Sequence, residues 1–443
     1  MTACDLIVVG GGPAGLAHAF WRKRRQPELR VRVLEAADEL GGWVRTTTRD
    51  GFQLEEGPQG FRPDDAVDAF LEAAGLRDEV VTCADSAQRR FVARGGRLHE
   101  LPTTPGAVLR SKLLPWWSKL RLLWEPRVRS KSPSGESVAG LVGRRFGRAA
   151  VPVAEAMMHG IYAGDAHALE VGATLPVATE LEREHGSLLR GMGARARARR
   201  EAGTPSRPAV CSFPQGMQRS VDALAAGLAG CVTTGARVHA LARTSDGYEV
   251  RWEGAQLAAP EVCVAIPPRP AAQLLQSLDR TLSDYLAEIP AVSVASCYVG
   301  FERAAVPPAV EGFGFLAPQD ELGSVLGAIY VSSVFPHQAP EGHALFRVMS
   351  GGHAYPHEVD RSDESLLQQA TDTLRDLLGV YHPPTFTHVC RARAAIPQYV
   401  RGHAARVAAI AQRAASHPGL ALIGNAYRKI SVVGQWAEAG SRP

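Results

Sequence analysis

Nowhere in the 443 residues is there an unbroken apolar run of the length, about eighteen residues, that a helix needs to cross a bilayer. That excludes an ordinary spanning helix. Lysine is nearly missing, at 5 of the 49 basic residues against 44 arginines, and no function is assigned to that skew. Neither sign of charge is in excess. The 49 basic and 45 acidic side chains give a formal net charge of +4, so nothing marks a nucleic-acid binder despite a pI near 8.7. The seven cysteines (Cys4, Cys83, Cys211, Cys231, Cys263, Cys297 and Cys390) are odd in number and scattered, with no C-x-x-C. Neither a disulfide framework nor a metal site is expected, which fits a reducing compartment. With 45% hydrophobic and 21% charged residues the composition is that of a globular protein. The length exceeds one compact core, so two or three domains are expected.

What the chain does have is concentrated at its start. Leu6-Ile7-Val8-Val9 is an apolar, β-branched run that reads as a buried strand. It leads into Gly10-Gly11-Gly12-Pro13-Ala14-Gly15 and a helix-compatible segment to about residue 25. Val31-Arg32-Val33-Leu34 reads as a second strand ending at Glu35, twenty residues past Gly15. Each part has a role in holding a dinucleotide. Gly10 permits the tight turn, Gly12 lets the backbone approach a pyrophosphate, and Gly15 allows close packing of helix on strand. The helix N-terminus offers unpaired N–H groups and its positive dipole end to the phosphates, and Glu35 can accept hydrogen bonds from ribose hydroxyls. A lone G-x-G-x-x-G is weak, but strand, helix, second strand and acid in register make an ordinary β-turn-α connection the poorer reading. With that fold beginning at once, no signal peptide or transit sequence is expected, and the protein is placed in the cytosol or on a membrane surface.

Next in the chain, Glu39-Leu40-Gly41-Gly42-Trp43-Val44-Arg45-Thr46 resembles the second glycine motif of the flavin amine oxidase superfamily, which contacts FAD beyond its adenosine half. The resemblance implies FAD rather than NAD. A turn at Arg49-Asp50-Gly51 between two short β-compatible runs precedes Glu55-Glu56-Gly57-Pro58-Gln59-Gly60-Phe61-Arg62-Pro63. So glycine-rich a loop either brings backbone close to a flavin ring or is plain surface. Residues 64–75 have helical periodicity closing on a glycine, and 89–98 reads as a hairpin with a Gly-Gly turn.

From 101 to about 208 the character is mostly helical and rich in arginine. Leu113, Leu114, Trp116, Trp117, Leu120, Leu123 and Trp124 form an apolar stripe flanked by Lys112, Lys119 and Arg121. Trp beside Lys and Arg on an amphipathic helix marks an element lying in a membrane interface. On pattern alone, packing against the protein's own core is the stronger reading. Arg195, Arg197, Arg199 and Arg200 form a second basic cluster, read as a solvated loop before anionic lipid or substrate carboxylates. Beyond Cys211 a helix over 216–228 is expected, with short strands at 231–234, 237–242, 248–252 and 262–266. Residues 291–301 and 345–349 are β-rich, 364–378 reads as a helix, and 420–425 is a last buried strand placed to complete the first sheet.

The chain also carries Arg90-Phe91, His159-Gly160-Ile161-Tyr162-Ala163-Gly164-Asp165, Gly312-Phe313-Gly314-Phe315-Leu316, Val348-Met349-Ser350-Gly351-Gly352, Ile396-Pro397-Gln398-Tyr399 and Gly424-Asn425. With the glycine motifs and the 57–63 loop, these resemble the oxygen-dependent, FAD-containing protoporphyrinogen oxidases over nearly the whole length. The resemblance implies a mixed α/β fold: a Rossmann-like FAD-binding domain, a β-rich substrate domain and an inserted helical membrane-docking domain. The expected FAD segments are 1–82, 209–268 and 418–443, the substrate segments 83–100 and 269–417, and the helical domain 101–208. FAD contacts would fall on Gly10, Gly11, Gly12, Pro13, Ala14, Gly15, Glu35, Ala36, Gly42, Trp43, Gly57, Pro58, Gln59, Gly60, Val238, Ile430, Ser431 and Val432. The substrate would meet Arg90, Gly160, Phe313, Leu316 and Met349.

The implied chemistry is six-electron oxidation of protoporphyrinogen IX to protoporphyrin IX in three flavin cycles, each reducing oxygen to hydrogen peroxide. The flavin carries it, with no side chain assigned as catalytic. The implied place is the cytoplasm, peripherally on the inner membrane, with a homodimer also compatible and no nucleic-acid partner. Coproporphyrinogen III is the alternative substrate. An amine oxidase, a carotenoid desaturase or an inactive flavin-binding scaffold are lesser readings. Two departures from the family pattern stand out: a final helix cut short by Ser441-Arg442-Pro443 with changed residues near Gln435, and Gln59 where relatives can carry arginine.

The residue types suit this substrate on physical grounds as well. A porphyrinogen is a wide apolar macrocycle bearing carboxylates, so its site needs apolar walls and one or two cations. Phe313, Leu316 and Met349 suit the walls, and Arg90 suits a bidentate grip on a propionate. Without the resemblance, core packing for the three apolar residues and a surface ion pair for Arg90 are the plainer readings.

Overall fold

The computed structural model describes residues 4–102, 104–128, 132–203, 210–427 and 429–441. Its first layer is a five-stranded sheet ordered Leu420–Leu422, Glu261–Val264, Leu6–Val9, Val31–Leu34, Val232–Thr233. Every pairing is parallel, with Ile7 opposite Val262 on one side and Arg32 on the other. Parallel sheets are covered on both faces, and all four residues of Leu6–Val9 are buried. On one side, Leu16, Ala17 and Phe20 of the helix Pro13–Arg25 pack with Val221 and Leu224 of Gln218–Ala226 and Trp436 of Val432–Ser441. The other side packs on a three-stranded antiparallel sheet through Leu241, Tyr248 and Val250, and on three helices through Leu275, Leu286 and Ile410.

The second layer is a seven-stranded sheet ordered Phe386–Pro397, Ala291–Glu302, His343–Gly351, Val325–Ile329, Gly314–Leu316, Arg90–Arg94, Arg97–Glu100. One face is apolar and packs Phe315, Ala328, Phe346, Val348 and Val299 against Leu366, Ala370 and Leu374 of the helix Asp363–Leu378. The other face meets the hairpin Thr46–Arg49 and Phe52–Glu55, where Phe52 stacks on Phe386 at 4.4 Å. Alternation along the strands decides what each face carries. Arg90, Leu316, Arg347 and Met349 share the hairpin side.

After the strand Arg97–Glu100 in sequence come the helices Pro105–Arg110, Trp116–Trp124, Val138–Phe146, Val151–Tyr162, Pro176–His185 and Leu188–Glu201. Their core is Leu141, Met158, Leu181 and Leu188. A buried ionic knot adds to it: Arg145 meets both Glu125 and Glu182, and Arg144 bridges Glu136 and Glu182.

Several expectations are corrected. The basic cluster of Arg195 to Arg200 is helix rather than loop, because Ser187 caps the helix Leu188–Glu201 by accepting from Arg190 N at 3.1 Å and alanine alternates with arginine, both good helix formers. The stripe at Trp116–Trp124 does not pack on the protein's own core: Trp116 is 67% exposed, Trp117 60% and Leu123 63%. Leu113 does leave it, buried against Val92 and Ala156. The helix expected from 216 starts at Gln218, since Met217 N donates to Glu55 and Gln218 N to Thr46 Oγ1. The strand expected at 237–242 begins only at Ala240. The helix His403–Ala415 is not read from the sequence; of the stop expected at 441–443, Ser441 still belongs to the last helix, and 442 and 443 lie outside the described residues.

Candidate cofactor and substrate site

The three glycines of the first turn differ in what surrounds them. Gly10 has φ of +110°, and a Cβ on it would lie 2.7 Å from Ala265 O. A Cβ on Gly15 would lie 2.0 Å from Gly10 O, so the helix can approach the strand only with glycine there. A Cβ on Gly12 would meet nothing within 4 Å. Gly12 is thus needed by no packing within the chain; it borders open space where the helix Pro13–Arg25 begins, with Pro13 and Ala14 in the first turn. Free N–H groups facing open space at a helix start are the donors a pyrophosphate needs. Glu35, the acid after the second strand, accepts from Gly11 N at 2.6 Å and Ala37 N at 2.8 Å. These bonds fix its carboxylate beside the turn, and two oxygens retain acceptor capacity for hydroxyls.

Three glycine-rich loops lie one upon the next. Gly41 N donates to Gly11 O at 2.9 Å, and a Cβ on Gly42 would be 3.6 Å from Gly12 Cα. A Cβ on Gly57 would be 1.9 Å from Trp43 O, so the third loop rests on the backbone of the second. Trp43 itself is 40% exposed. A Cβ on Gly60 would be 2.4 Å from Cys211 O. Pro58 is half-buried, while Gln59 is buried and donates to Gln338 Oε1 at 2.6 Å. Among the described residues its own Oε1 has no partner.

The remaining expected cofactor residues come from two distant segments. Gly235 N donates to Ala37 O and Ala236 N to Glu35 O at 2.7 Å, which brings the loop holding Val238 beside Glu35 and Ala36. Ile430 packs on the helical core with Tyr399. Ser431 Oγ accepts from Gly434 N at 3.2 Å, an N-cap for the last helix, and Val432 is buried at its start. The cradle at Gly12, the donors around it and the acid at Glu35 fit FAD.

The expected substrate residues fall into two contacts on one sheet face. Leu316 pairs with Val92 and Gly327, and Gly327 pairs with Met349. Leu316 and Met349 therefore flank a residue with no side chain. A Cβ on Gly160 would lie 2.7 Å from Leu316 Cδ2, so glycine lets the helix Val151–Tyr162 close over that end. The second contact is Arg90 over the ring of Phe313, 4.6 Å from guanidinium carbon to centroid. Phe313 is held by its N donating to Arg89 O and its O accepting from Tyr330 N. Arg90 is half-buried and has no ion-pair partner among the described residues. Burial first, and then the like charge of Arg62, lower its pKa.

Two residues that sequence reasoning missed lie between cofactor loops and substrate face. Arg347 is 5% exposed; it donates to Gly57 O at 2.7 Å from Nη1 and to Ser296 Oγ at 3.1 and 3.0 Å from Nε and Nη2. Its signal is an arginine inside the apolar run Ala344-Leu345-Phe346-Arg347-Val348-Met349. Glu55 is fully buried and accepts from Met217 N and Thr46 Oγ1, both at 2.9 Å, and burial pushes its pKa up to about 8. Tyr298 OH donates to Glu55 O at 2.7 Å, tying the hairpin to the second sheet. Among the described residues no group of three or more His, Cys, Asp or Glu is placed to hold a metal ion, and no helix is long and apolar enough to cross a membrane.

This site can be set beside known proteins. The family described as flavin containing amine oxidoreductase matches residues 14–436. The chain is 31% identical to protoporphyrinogen oxidase of Bos taurus, with 96% of this chain and 95% of that one covered. It is 26% identical to coproporphyrinogen III oxidase of Bacillus subtilis, with 96% and 94% covered. A solved structure from Exiguobacterium sp., bearing a provisional protoporphyrinogen oxidase name, superposes with a TM-score of 0.83 at 26% identity, covering 100% of this chain and 98% of that one.

Proposed function

The chain belongs to the flavin-containing amine oxidoreductases and is an FAD-dependent oxidoreductase, and from that premise we propose that it oxidises protoporphyrinogen IX to protoporphyrin IX in tetrapyrrole biosynthesis. The observation that carries this reading is Arg90: a half-buried guanidinium with no acid partner among the described residues, stacked on Phe313, on the face that holds Leu316 and Met349. A cation left without an anion beside an apolar wall suits a large apolar ring with a carboxylate at its edge. The similarity to proteins named protoporphyrinogen oxidase supports the same substrate.

In this reading Arg90 grips a propionate and fixes the macrocycle's orientation. Phe313, Leu316 and Met349 form apolar walls. Bound FAD supplies hydride acceptance from a methylene bridge. Over three rounds six electrons and six protons leave the substrate, and each round reduces one oxygen to one hydrogen peroxide. The cofactor set is Gly10 to Gly15, Glu35, Ala36, Gly42, Trp43, Gly57 to Gly60, Val238 and Ile430 to Val432. The three-part division of the chain, with its helical part docked peripherally on the cytoplasmic face of the inner membrane, belongs to the same proposal. Five exposed apolar side chains on Trp116–Trp124 support the docking.

Coproporphyrinogen III is the second reading. Its four carboxylates call for more cations, and Arg62 places a second positive charge close enough to act on Arg90. Anaerobic stopped-flow mixing of the yellow holoprotein with each porphyrinogen tests the proposal. Flavin bleaching should be fast with a porphyrinogen and absent with putrescine; the reverse pattern would assign an amine oxidase instead.

A further inference from the structure

Arg347 occupies a position that alternation gives to an apolar residue. It lies two residues before Met349 on the strand His343–Gly351, opposite Ile329 on one side and Tyr298 on the other. Burying a guanidinium is costly unless an anion accompanies it. Arg347 is 5% exposed, and among the described residues no carboxylate lies within ion-pair distance of it. Its hydrogen bonds go to neutral oxygens, Gly57 O and Ser296 Oγ, which leave part of its five-proton fork unspent. Of the titratable groups around it, burial raises Glu55 to about 8, Cys390 to about 11 and Tyr298 as well, which favours their neutral forms, while the Arg347 charge pulls each of them back toward ionisation.

The position of this charge is specific. Gly12, Gly42, Trp43 and Gly57 form a continuous stack of backbone, each loop resting on the last. That stack starts at the phosphate cradle and ends at the carbonyl that Arg347 holds. Two residues along the same face of that strand, Met349 joins the substrate residues. The buried cation thus sits where the cofactor loops and the substrate sheet meet.

We propose that Arg347 is a positioning residue of the redox site: it clamps the 57–60 loop to the substrate sheet, and its unbalanced positive charge favours the reduced state of the bound flavin. The inference rests on the FAD reading above. Hydride uptake brings two electrons and one proton to the cofactor, hence one net negative charge. A fixed cation in a dry surrounding lowers the cost of that charge, and a neutral residue in its place raises it.

The test uses the holoprotein and begins with FAD titration of wild-type apoprotein. No uptake by the wild type would overturn the FAD reading itself, and this inference with it. The midpoint potential of the bound flavin is then measured for wild type, Arg347→Gln and Arg347→Lys. Glutamine keeps an amide donor but is shorter and carries no charge. The equilibrium constant for two-electron reduction should fall about tenfold or more in Arg347→Gln, which is about 30 mV. Arg347→Lys should recover most of that loss at low pH. A buried ammonium loses its proton within the accessible pH range whereas a guanidinium does not, so its potential should show an added downward step as pH rises. Should Arg347→Gln fail to fold, the lysine profile decides alone. A yellow Arg347→Gln protein with wild-type potential, or an Arg347→Lys profile parallel to wild type at every pH, would overturn the charge role while leaving the FAD reading intact.

Discussion

A Cβ placed on Gly15 would stand 2.0 Å from the carbonyl oxygen of Gly10, whereas one placed on Gly12 would touch nothing within 4 Å. Packing within the chain therefore requires glycine at 15 and not at 12, which the proposed function leaves to the ligand. Gly15→Ala should destabilise the apoprotein, because the clash is with backbone that cannot yield. Gly12→Val should melt like wild type and purify colourless, since the branched side chain fills only the space a pyrophosphate needs. Thermal melts of both apoproteins and the flavin absorbance of both preparations check this. A yellow Gly12→Val protein would remove the phosphate cradle from the site.

The exposed face of Trp116–Trp124 makes a clean test of membrane docking, because Trp116 and Trp117 are 67% and 60% exposed and little of the core depends on them. Trp116→Glu with Trp117→Glu should keep its melting temperature and FAD content and move from the liposome pellet to the supernatant. Equal sedimentation of both forms would leave this face without a membrane role.

Glu55 predicts a pH dependence of stability. Its folded pKa is raised from 4.5 to about 8 by burial. The stability it contributes is therefore fully present below about pH 4.5 and is lost as pH rises through about 8, because the unfolded chain ionises first. The loss is on the order of a few kcal/mol. Glu55→Gln keeps an acceptor for Met217 N and a donor for Thr46 Oγ1 and never ionises. Its melting temperature should gain on wild type steadily between pH 5 and pH 8. Parallel curves over that window would mean that Glu55 is ionised in the folded protein.

Arg90 should act on substrate and not on cofactor. A charge-assisted pair with a carboxylate in a partly dry pocket contributes about 1.5–3 kcal/mol. Arg90→Ala should raise KM by roughly ten- to a hundredfold, with kcat falling too if the grip aligns the methylene bridge. Arg90→Lys should recover part of the loss, lacking the planar fork. Steady-state kinetics at matched FAD occupancy decides it, and wild-type constants in Arg90→Ala would put the pocket elsewhere.

Much of this architecture is legible in the sequence because it rests on local rules. The Leu6–Val9 strand, the glycine turn, the hairpins around Asp50-Gly51 and Gly95-Gly96 and the helix Asp363–Leu378 each follow from periodicity and turn chemistry. The resemblance, not periodicity, singled out Arg90 and Leu316. Their placement on one face depends on a parallel pairing between Arg90–Arg94 and Gly314–Leu316, more than two hundred residues apart in sequence. Arg347 and Glu55 stayed hidden for the same reason. Each looks like an ordinary polar residue in a strand until the hairpin and the second sheet close on it. The Trp116 stripe was ambiguous in sequence because amphipathic periodicity does not say what an apolar face meets, and only the packing shows it bare.

The most direct measurement is porphyrin fluorescence growth in air from FAD-loaded protein given protoporphyrinogen IX or coproporphyrinogen III, with hydrogen peroxide followed in parallel. Fluorescence should rise faster with protoporphyrinogen IX than its spontaneous oxidation allows, with about three peroxides formed per porphyrin, one for each flavin cycle. A yellow, folded protein that leaves both porphyrinogens at their spontaneous rates would contradict the proposed function outright.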